Sequence, residues 1–336
     1  VSMNHSGDRI IVSARNSDPS YSGLVRVYEW DGISWSVIGS DIRFTGTSSG
    51  GSGQRVGQAV SINAAGDRLA ISASHAYGAN DGVNEYYRGQ VQMYRYDNGS
   101  WVQMGSTLYG ADYYSNFGYS LDFNSTGDRV AIGVDEGSDA PVGIYEWTGT
   151  DWVQFGNDIT GGASDYGRKQ HVRLNHSGDR VVIGSFQTLN SSNYRTGSAR
   201  VYQYISGSWT QMGSTIVGPS NNAYLGISAS INDIGDRITI GESNSLTPGV
   251  KVYDWNGTNW SVIRSLVGAG NLGYSNAINN AGDRVVVGQR DASNRGQACV
   301  YQIDPPLVPP AATPTPTPTP TNTLTPTPTT ECNYIT

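Results

Sequence analysis

The segment Asn-x-x-Gly-Asp-Arg, followed by alternating apolar residues, constrains the fold of this chain more than any other feature. Its six copies begin at Asn4, Asn63, Asn124, Asn175, Asn232 and Asn279. Successive copies lie 47 to 61 residues apart, a spacing typical of repeated supersecondary units. The sequence therefore predicts six copies of one structural unit.

Each copy lies within a larger pattern of four short strands, which we label A to D. In the first unit, VSMN precedes the turn, IIVSA follows it, and VRVYEW comes after a variable loop. The turn DGISW then leads into the fourth strand. Apolar and polar residues alternate with period two in these runs, and helical periodicity is absent. Four antiparallel strands cannot bury both faces alone, so the units must stack.

Radial stacking of such sheets gives a β-propeller. The sequence predicts an all-β, six-bladed propeller over residues 1–304, with seven blades as the alternative. The tryptophans support this interpretation because all of them fall at or beside the turn between strands C and D. We expect them to pack between blades: Trp30, Trp35, Trp101, Trp147, Trp152, Trp209, Trp255 and Trp260.

Segments such as GYSLDFNSTGDRVAIG (118–133) and VGIYEWTGTDWVQFG (142–156) resemble the FG-GAP-like repeats of secreted bacterial and algal propellers, which are related to the integrin α-chain head. The resemblance covers about residues 1–304 and implies the fold, not a function.

Integrin-type repeats often carry an Asp-rich calcium loop, and here the matching turn holds one Asp and a neutral Asn. Calcium needs six or more oxygen ligands, several of them anionic. We therefore expect no cofactor, with calcium as the minor alternative, and no metal-ligating residue. The motif aspartates are expected to stabilise the A–B turns instead: Asp8, Asp67, Asp128, Asp179, Asp236 and Asp283.

Candidate catalytic residues are scarce. Of the four histidines, His5 and His176 occupy the same position in two repeats, while His75 and His171 belong to no catalytic motif. The segment GAGNLG (268–273) matches the dinucleotide fingerprint in letters only, because no helix follows it to hold a pyrophosphate. The sequence predicts that the protein is not an enzyme and has no catalytic residues.

Charge and composition bear on partners and location. The formal net charge is -7 without a run of Lys or Arg, so a nucleic-acid partner is not expected. No apolar stretch reaches the roughly 18 residues of a membrane span. The chain begins at Val1, and we expect any signal peptide to have been removed or left out.

An extracellular or cell-surface glycoprotein is predicted from the two cysteines and the seven Asn-x-Ser/Thr sequons. The predicted N-glycan sites are Asn4, Asn98, Asn124, Asn175, Asn190, Asn256 and Asn259.

Antiparallel strand order divides the predicted propeller into two faces. The A–B and C–D turns emerge on one face, the turn face, which carries six of the seven sequons. The B–C and D–A connections emerge on the opposite, loop face and are rich in Tyr, Gly, Ser and Asn. Tyrosine is enriched in binding surfaces, although ordinary surface loops explain the composition equally well. The binding candidates are Tyr21, Tyr77, Tyr86, Tyr87, Tyr113, Tyr114, Tyr166 and Tyr194.

The sixth unit lacks a strand D directly after Cys299–Ile303, which leaves an unpaired edge. A Pro/Thr-rich rod (305–330) follows, and a strand-like docking peptide (331–336) ends the chain. In polyproline II the rod reaches about 80 Å, against a propeller width on the order of 50 Å. Thr-Pro runs also carry O-glycans, and the candidate residues are Thr313, Thr315, Thr317, Thr319, Thr325 and Thr327.

Three arrangements of this tail are open. The terminal peptide docks on another subunit by strand addition, with Cys332 bridging Cys299 of that neighbour, and a contact of this kind that does not close builds a filament. Alternatively, the rod is a stalk or linker, or it folds back and forms an intramolecular Cys299–Cys332 bridge. The predicted function is a structural subunit of a filament or surface coat that self-associates through its tail. The alternative is a stalked adhesin or lectin that binds glycan or protein through the loop face.

Overall fold

The computed structural model describes residues 1–15, 23–44, 55–76, 87–111, 115–135, 141–160, 170–243, 248–268, 271–290 and 296–303, and the backbone of Thr330–Ile335. These ranges form six antiparallel sheets and contain no helix. Strands are numbered in chain order and sheets are called blades one to six.

The first three blades follow the predicted A-B-C-D order. Blade one contains β1 (Ser2–Met3), β2 (Arg9–Ala14), β3 (Leu24–Trp30) and β4 (Trp35–Val37). Blade two contains β5 (Val56–Ile62), β6 (Arg68–Ala73), β7 (Gln90–Asp97) and β8 (Ser100–Gln103), and the short β9 (Leu108–Tyr109) pairs with β7. Blade three contains β10 (Ser120–Phe123), β11 (Arg129–Gly133), β12 (Gly143–Trp147) and β13 (Trp152–Gln154).

The last three blades repeat this order. Blade four contains β14 (Gln170–Leu174), β15 (Arg180–Ser185), β16 (Ser198–Ile205) and β17 (Ser208–Gln211), and the short β18 (Ile216–Val217) pairs with β16. Blade five contains β19 (Ala229–Ile231), β20 (Arg237–Glu242), β21 (Gly249–Trp255) and β22 (Trp260–Val267). Blade six contains β23 (Asn271–Ile278), β24 (Arg284–Arg290), β25 (Gly296–Gln302) and β26 (Thr330–Ile335).

The core of the molecule lies between the blades, as the stacking argument predicts. Val25 and Val27 of blade one pack with Leu69 and Ile71 of blade two in one buried cluster. Four further clusters join blades two and three, three and four, four and five, and five and six. The all-β, six-bladed propeller is therefore confirmed.

Four strand-D tryptophans connect neighbouring blades as predicted, whereas Trp30 and Trp35 of blade one stay 39% and 42% exposed. The indole Nε1 of Trp152 donates to the backbone carbonyl of Met104 in the preceding blade at 3.1 Å. Trp101, Trp209 and Trp260 make the same hydrogen bond to Ile38, Phe155 and Met212 at 2.9–3.2 Å. Each of these rings therefore fills a seam and also satisfies a backbone acceptor there.

The C-terminal strand completes blade six within the same chain. β26 pairs antiparallel with β25, and Cys332 lies directly opposite Cys299 in the register. The terminal peptide is thus a strand, and it pairs with the edge of the chain's own blade, as in the fold-back alternative; docking on a neighbouring subunit stays a prediction. Opposed positions of a ladder have the Cα spacing that a disulfide requires, so an intramolecular bridge stays a prediction.

The rod lies outside the described residues up to Thr329. So do the O-glycan candidates Thr313, Thr315, Thr317, Thr319, Thr325 and Thr327.

Candidate functional site

The same hydrogen-bonded geometry occurs in the six A–B turns and explains the repeated motif. In all six turns the Asn side-chain oxygen accepts from the Arg backbone N–H at 2.9 Å. The Asn amide donates to the Asp carboxylate at 2.6–2.8 Å. The motif glycines have φ of 68° to 77°, a region that favours glycine. The Asp backbone carbonyl accepts from strand C at 2.7–2.8 Å, which fixes the turn to its own blade.

This network changes the interpretation of three sequons. Asn4, Asn124 and Asn175 are only 3–4% exposed. The amide of Asn175 donates to Asp179 and to the Ser177 hydroxyl, and the other two turns repeat this pattern. The same hydroxyls donate to the motif aspartates at 2.6–2.7 Å.

An N-glycan replaces one hydrogen of this amide, so it would remove one of the two donated bonds. The structure therefore gives these three asparagines a turn-forming role, and the glycans predicted there stay predictions that this network disfavours. Asn98, Asn256 and Asn259 are exposed and Asn190 is half-buried, so these four stay predicted glycan sites.

The carboxylates of the turns are engaged in the same network, as expected. Hydrogen bonds from Ser6 and Asn4 lower the pKa of Asp8 below its usual value. In the part of the chain that the structure describes, no group of three or more His, Cys, Asp or Glu residues could hold a metal ion.

The six turns surround the channel on the turn face. In blades one to five the residue after the motif Asn donates its backbone N–H to the carbonyl of the equivalent residue in the next blade, at 2.9–3.2 Å. These bonds run from His5 through Ala64, Ser125, His176 and Asp233 to Asn280. The ring contains backbone groups mainly, so it supports the fold and offers little chemistry.

The loop face carries a different arrangement at the channel mouth. There strands A begin and strands B end, which brings together side chains from blades one, two and three. We call Arg15, Arg55, His75, Tyr87, Tyr119 and Asp135 the mouth cluster. The rings of His75 and Tyr87 lie 4.6 Å apart, and Arg15 donates to the Gln58 side chain at 3.0 Å.

Charge in the mouth cluster is mainly positive. Burial lowers the pKa of His75 to about 4, and Arg55 and Arg15 contribute to the same shift, so His75 is neutral at pH 7. Burial and the nearby Arg15 also lower the pKa of Arg55. The carboxylate of Asp135 partly offsets this positive charge, because its electrostatic attraction raises the pKa of Arg55.

A row of aromatic side chains continues from the mouth cluster across blades three to five. Tyr119 and His171 have centroids 5.9 Å apart, His171 and Phe186 6.1 Å, and Phe186 and Tyr224 6.3 Å. Burial raises the pKa of Tyr119 to about 12, with Asp135 contributing, so its hydroxyl is a donor at neutral pH. Burial lowers the pKa of His171 to about 4.

Two residues of the mouth cluster and the aromatic row have a strained backbone conformation just before strand A. Arg55 and Tyr224 have φ of 55° and 52°, which is unfavourable for residues other than glycine. Each is followed by an apolar residue and a glycine, Gly57 or Gly226, with φ of 82° or 90°. A Cβ on Gly226 would lie 2.4 Å from the Ser198 carbonyl. Only glycine fits there, so the close approach of two blades fixes this entry conformation.

The binding tyrosines predicted from sequence are only partly tested. Tyr87 belongs to the mouth cluster, whereas Tyr194 is exposed on a separate loop (189–195). The other six lie outside the described residues: Tyr21, Tyr77, Tyr86, Tyr113, Tyr114 and Tyr166.

Sequence analysis missed the arginines, the two central histidines and Tyr119. Their position within the repeat could have indicated them, because each lies at the loop-face end of an inner strand.

The mouth cluster combines guanidinium groups with aromatic rings. Two guanidiniums can bind a carboxylate, sulfate or phosphate group. The adjacent aromatic rings can pack against the C–H face of a sugar or against a planar group. Within the described ranges, no histidine is hydrogen-bonded to a Ser, Thr or Cys side chain, the pairing that activates a nucleophile.

No protein-family model and no curated protein sequence matches this chain. Solved structures do match it. A protein from Lactobacillus plantarum superposes with a TM-score of 0.61 at 14% identity, over 90% of this chain and 80% of that chain. The periplasmic gluconolactonase PpgL of Pseudomonas aeruginosa gives a TM-score of 0.57 at 12% identity, over 90% and 80%.

Hydrazine synthase from Kuenenia stuttgartiensis gives a TM-score of 0.59 at 13% identity, over 90% and 76% of the two chains. Likeness at these identities establishes the propeller fold alone. No helix in the described part of the chain is long and apolar enough to cross a membrane.

Proposed function

We propose that this chain is a non-catalytic recognition domain outside the cell, an FG-GAP-like propeller that binds an acidic glycan at its loop-face mouth. The supporting observation is the pair Arg15 and Arg55, two guanidiniums close enough for Arg15 to lower the pKa of Arg55. Like charges close to each other repel, and here Arg55 is half-buried while Arg15 is exposed. A bound anionic group relieves that repulsion and gains charge-assisted hydrogen bonds.

The surrounding side chains supply the rest of a sugar site. Neutral His75 and the protonated Tyr119 hydroxyl offer uncharged hydrogen-bonding groups. The row of Tyr119, His171, Phe186 and Tyr224 offers ring faces and edges over adjacent blades. Rigid aromatic groups gain contact area at low entropic cost.

Binding of sulfated or uronate-containing oligosaccharides tests this function, with matched neutral oligosaccharides as the ligand control. We expect R15A and R55A each to weaken binding by about tenfold or more. R95A is the protein control because it removes an arginine that pairs with Asp97 at a turn-face hairpin. Affinity should also fall with rising salt. Equal affinity for neutral sugars, or equal losses in R95A, would contradict the proposal.

Self-association into a filament is the second candidate, supported by the position of β26. This strand follows β25 after a long connection (303–329), and the same backbone ladder can form with a neighbouring chain. The rod, which reaches about 80 Å if extended, is longer than such an exchange requires. The recognition function takes precedence because β26 already satisfies the edge of its own blade.

Light scattering and non-reducing electrophoresis test this second function. A disulfide ladder that disappears in C332S supports exchange between chains. A monomer at all concentrations refutes it.

A further inference from the structure

The seam between blades six and one differs from the other five. In strand B, the side chain that faces the next blade is 0% exposed at Ile11, Ala70, Ala131, Val182 and Thr239, but Val286 of blade six is 39% exposed. In strand C, the equivalent residues Val27, Met93, Ile144, Val201 and Val252 are 0–1% exposed, but Val300 is 45% exposed. Blade six therefore presents an apolar side that no described residue covers.

Blade one presents the complementary side. Trp35 is 42% exposed, whereas Trp152, Trp209 and Trp260 at the same position are 5–8% exposed. Ile10 and Val12 are half-buried, although the matching residues of the other blades are almost fully buried. Both flanks have the apolar residues found at the closed seams, but their side chains are more exposed than those at the closed seams.

The polar links of the other seams are also missing here. At five seams the motif Arg donates to the motif Gly carbonyl of the next blade, at 2.8–3.4 Å. Among the described residues, Arg284 makes no such bond to Gly7, and Trp35 makes no indole hydrogen bond. The turns of the two blades are joined instead by a side-chain contact between Asn280 Nδ2 and His5 Nδ1, at 3.0 Å. Two side-chain ends span more distance than the backbone bonds at the other turns, so blades six and one are further apart.

We propose that this seam is an interaction surface for one more four-stranded blade of the same repeat type, supplied by a partner sheet. The two flanks are opposite sides of a blade, so the occupant must complement both. It must offer a glycine carbonyl to Arg284, a strand-D carbonyl to Trp35, and apolar strands B and C on both sides. The five closed seams show that a sheet with this repeat meets those requirements. A single added strand would cover one flank only. This inference is independent of the proposed ligand site.

The openness of the seam is tested with V286E, and V182E is the matched control at a closed seam. We expect V286E to leave the thermal midpoint of the 336-residue chain nearly unchanged and V182E to lower it by more than about 5 °C. Hydrogen exchange of β24 and β2 should also be faster than that of β15. Equal losses in the two variants would mean that blades six and one close directly, which would overturn the proposal.

The occupant is tested by placing a copy of residues 112–171 directly before Val1. This copy supplies blade three with the connection through which it enters Val172. We expect the midpoint to rise, exchange in β24 and β2 to slow by about tenfold, and V286E to become as damaging as V182E. No protection of β24 and β2 by the added blade would overturn the proposal. Concentration-dependent dimers of the unmodified chain that protect both strands would overturn it in favour of a second copy.

Discussion

Asn175 gives the sharpest test of the turn network, because it is both a sequon residue and a buried turn residue. Its side chain accepts from the backbone N–H groups of Arg180 and Asp179 at 2.9 and 3.1 Å. It donates to Asp179 and Ser177 at 2.8 and 3.1 Å. Asn175→Ala removes four hydrogen bonds and leaves backbone donors without their acceptor. At about 1 kcal/mol for each net bond, we expect a loss of about 3–4 kcal/mol in the free energy of unfolding.

Urea unfolding followed by tryptophan fluorescence measures this loss. S177A is the matched control because it destroys the same sequon but removes only the hydroxyl contacts to Asn175 and Asp179, so about 1 kcal/mol should be lost. Site occupancy by mass spectrometry should be near zero at Asn175 and higher at exposed Asn98. Equal losses in both variants, or a glycan on Asn175 in folded protein, would refute the reasoning.

Three other predictions concern the buried histidines, a tryptophan between blades and a glycine at the start of a strand. Burial lowers the folded-state pKa of His75 and His171 to about 4, below the unfolded value near 6.5. Their contribution to stability is therefore fully present above pH 6.5 and is lost as the pH falls towards 4. H75Q/H171Q should flatten the dependence of the unfolding free energy on pH in this window, measured by urea titration at each pH. W260F should lower the free energy of unfolding by about 1 kcal/mol through its lost carbonyl bond, measured by urea titration, whereas W35F should change it little. G226A should cost more than about 2 kcal/mol in the same titration, because φ is positive and a carbonyl occupies the Cβ position; an unchanged midpoint would refute this steric account.

The sequon result has a general physical cause. The turn needs an amide at Asn and favours a hydroxyl two residues later, since that hydroxyl donates to the motif Asp in three of the blades. Asn followed by a hydroxyl residue two positions later is also the Asn-x-Ser/Thr glycosylation pattern, so the turn produces this pattern whether or not a glycan is attached. A sequence pattern set by hydrogen bonding within a turn can therefore resemble a signal for modification.

The fold could be derived from sequence because its determinants are local and repeated. The motif turn, the period-two strands and the tryptophans at the C–D hairpins each recur in register, so six repeats and packing between successive blades followed from the pattern, with a seventh blade left open. The absence of a local strand D after Cys299 was visible in the same way.

The partner of the terminal strand, the mouth cluster and the open seam were decided by tertiary structure. Cys332 pairs with Cys299 across a long connection, and sequence contains no measure of which edge such a strand meets. Arg15, Arg55 and Tyr119 come from three blades and meet only because the ring brings strand ends to one channel. Burial at Val286 and Val300 depends on whether the last blade reaches the first. That depends on the small rotation accumulated at five seams, which no single repeat specifies.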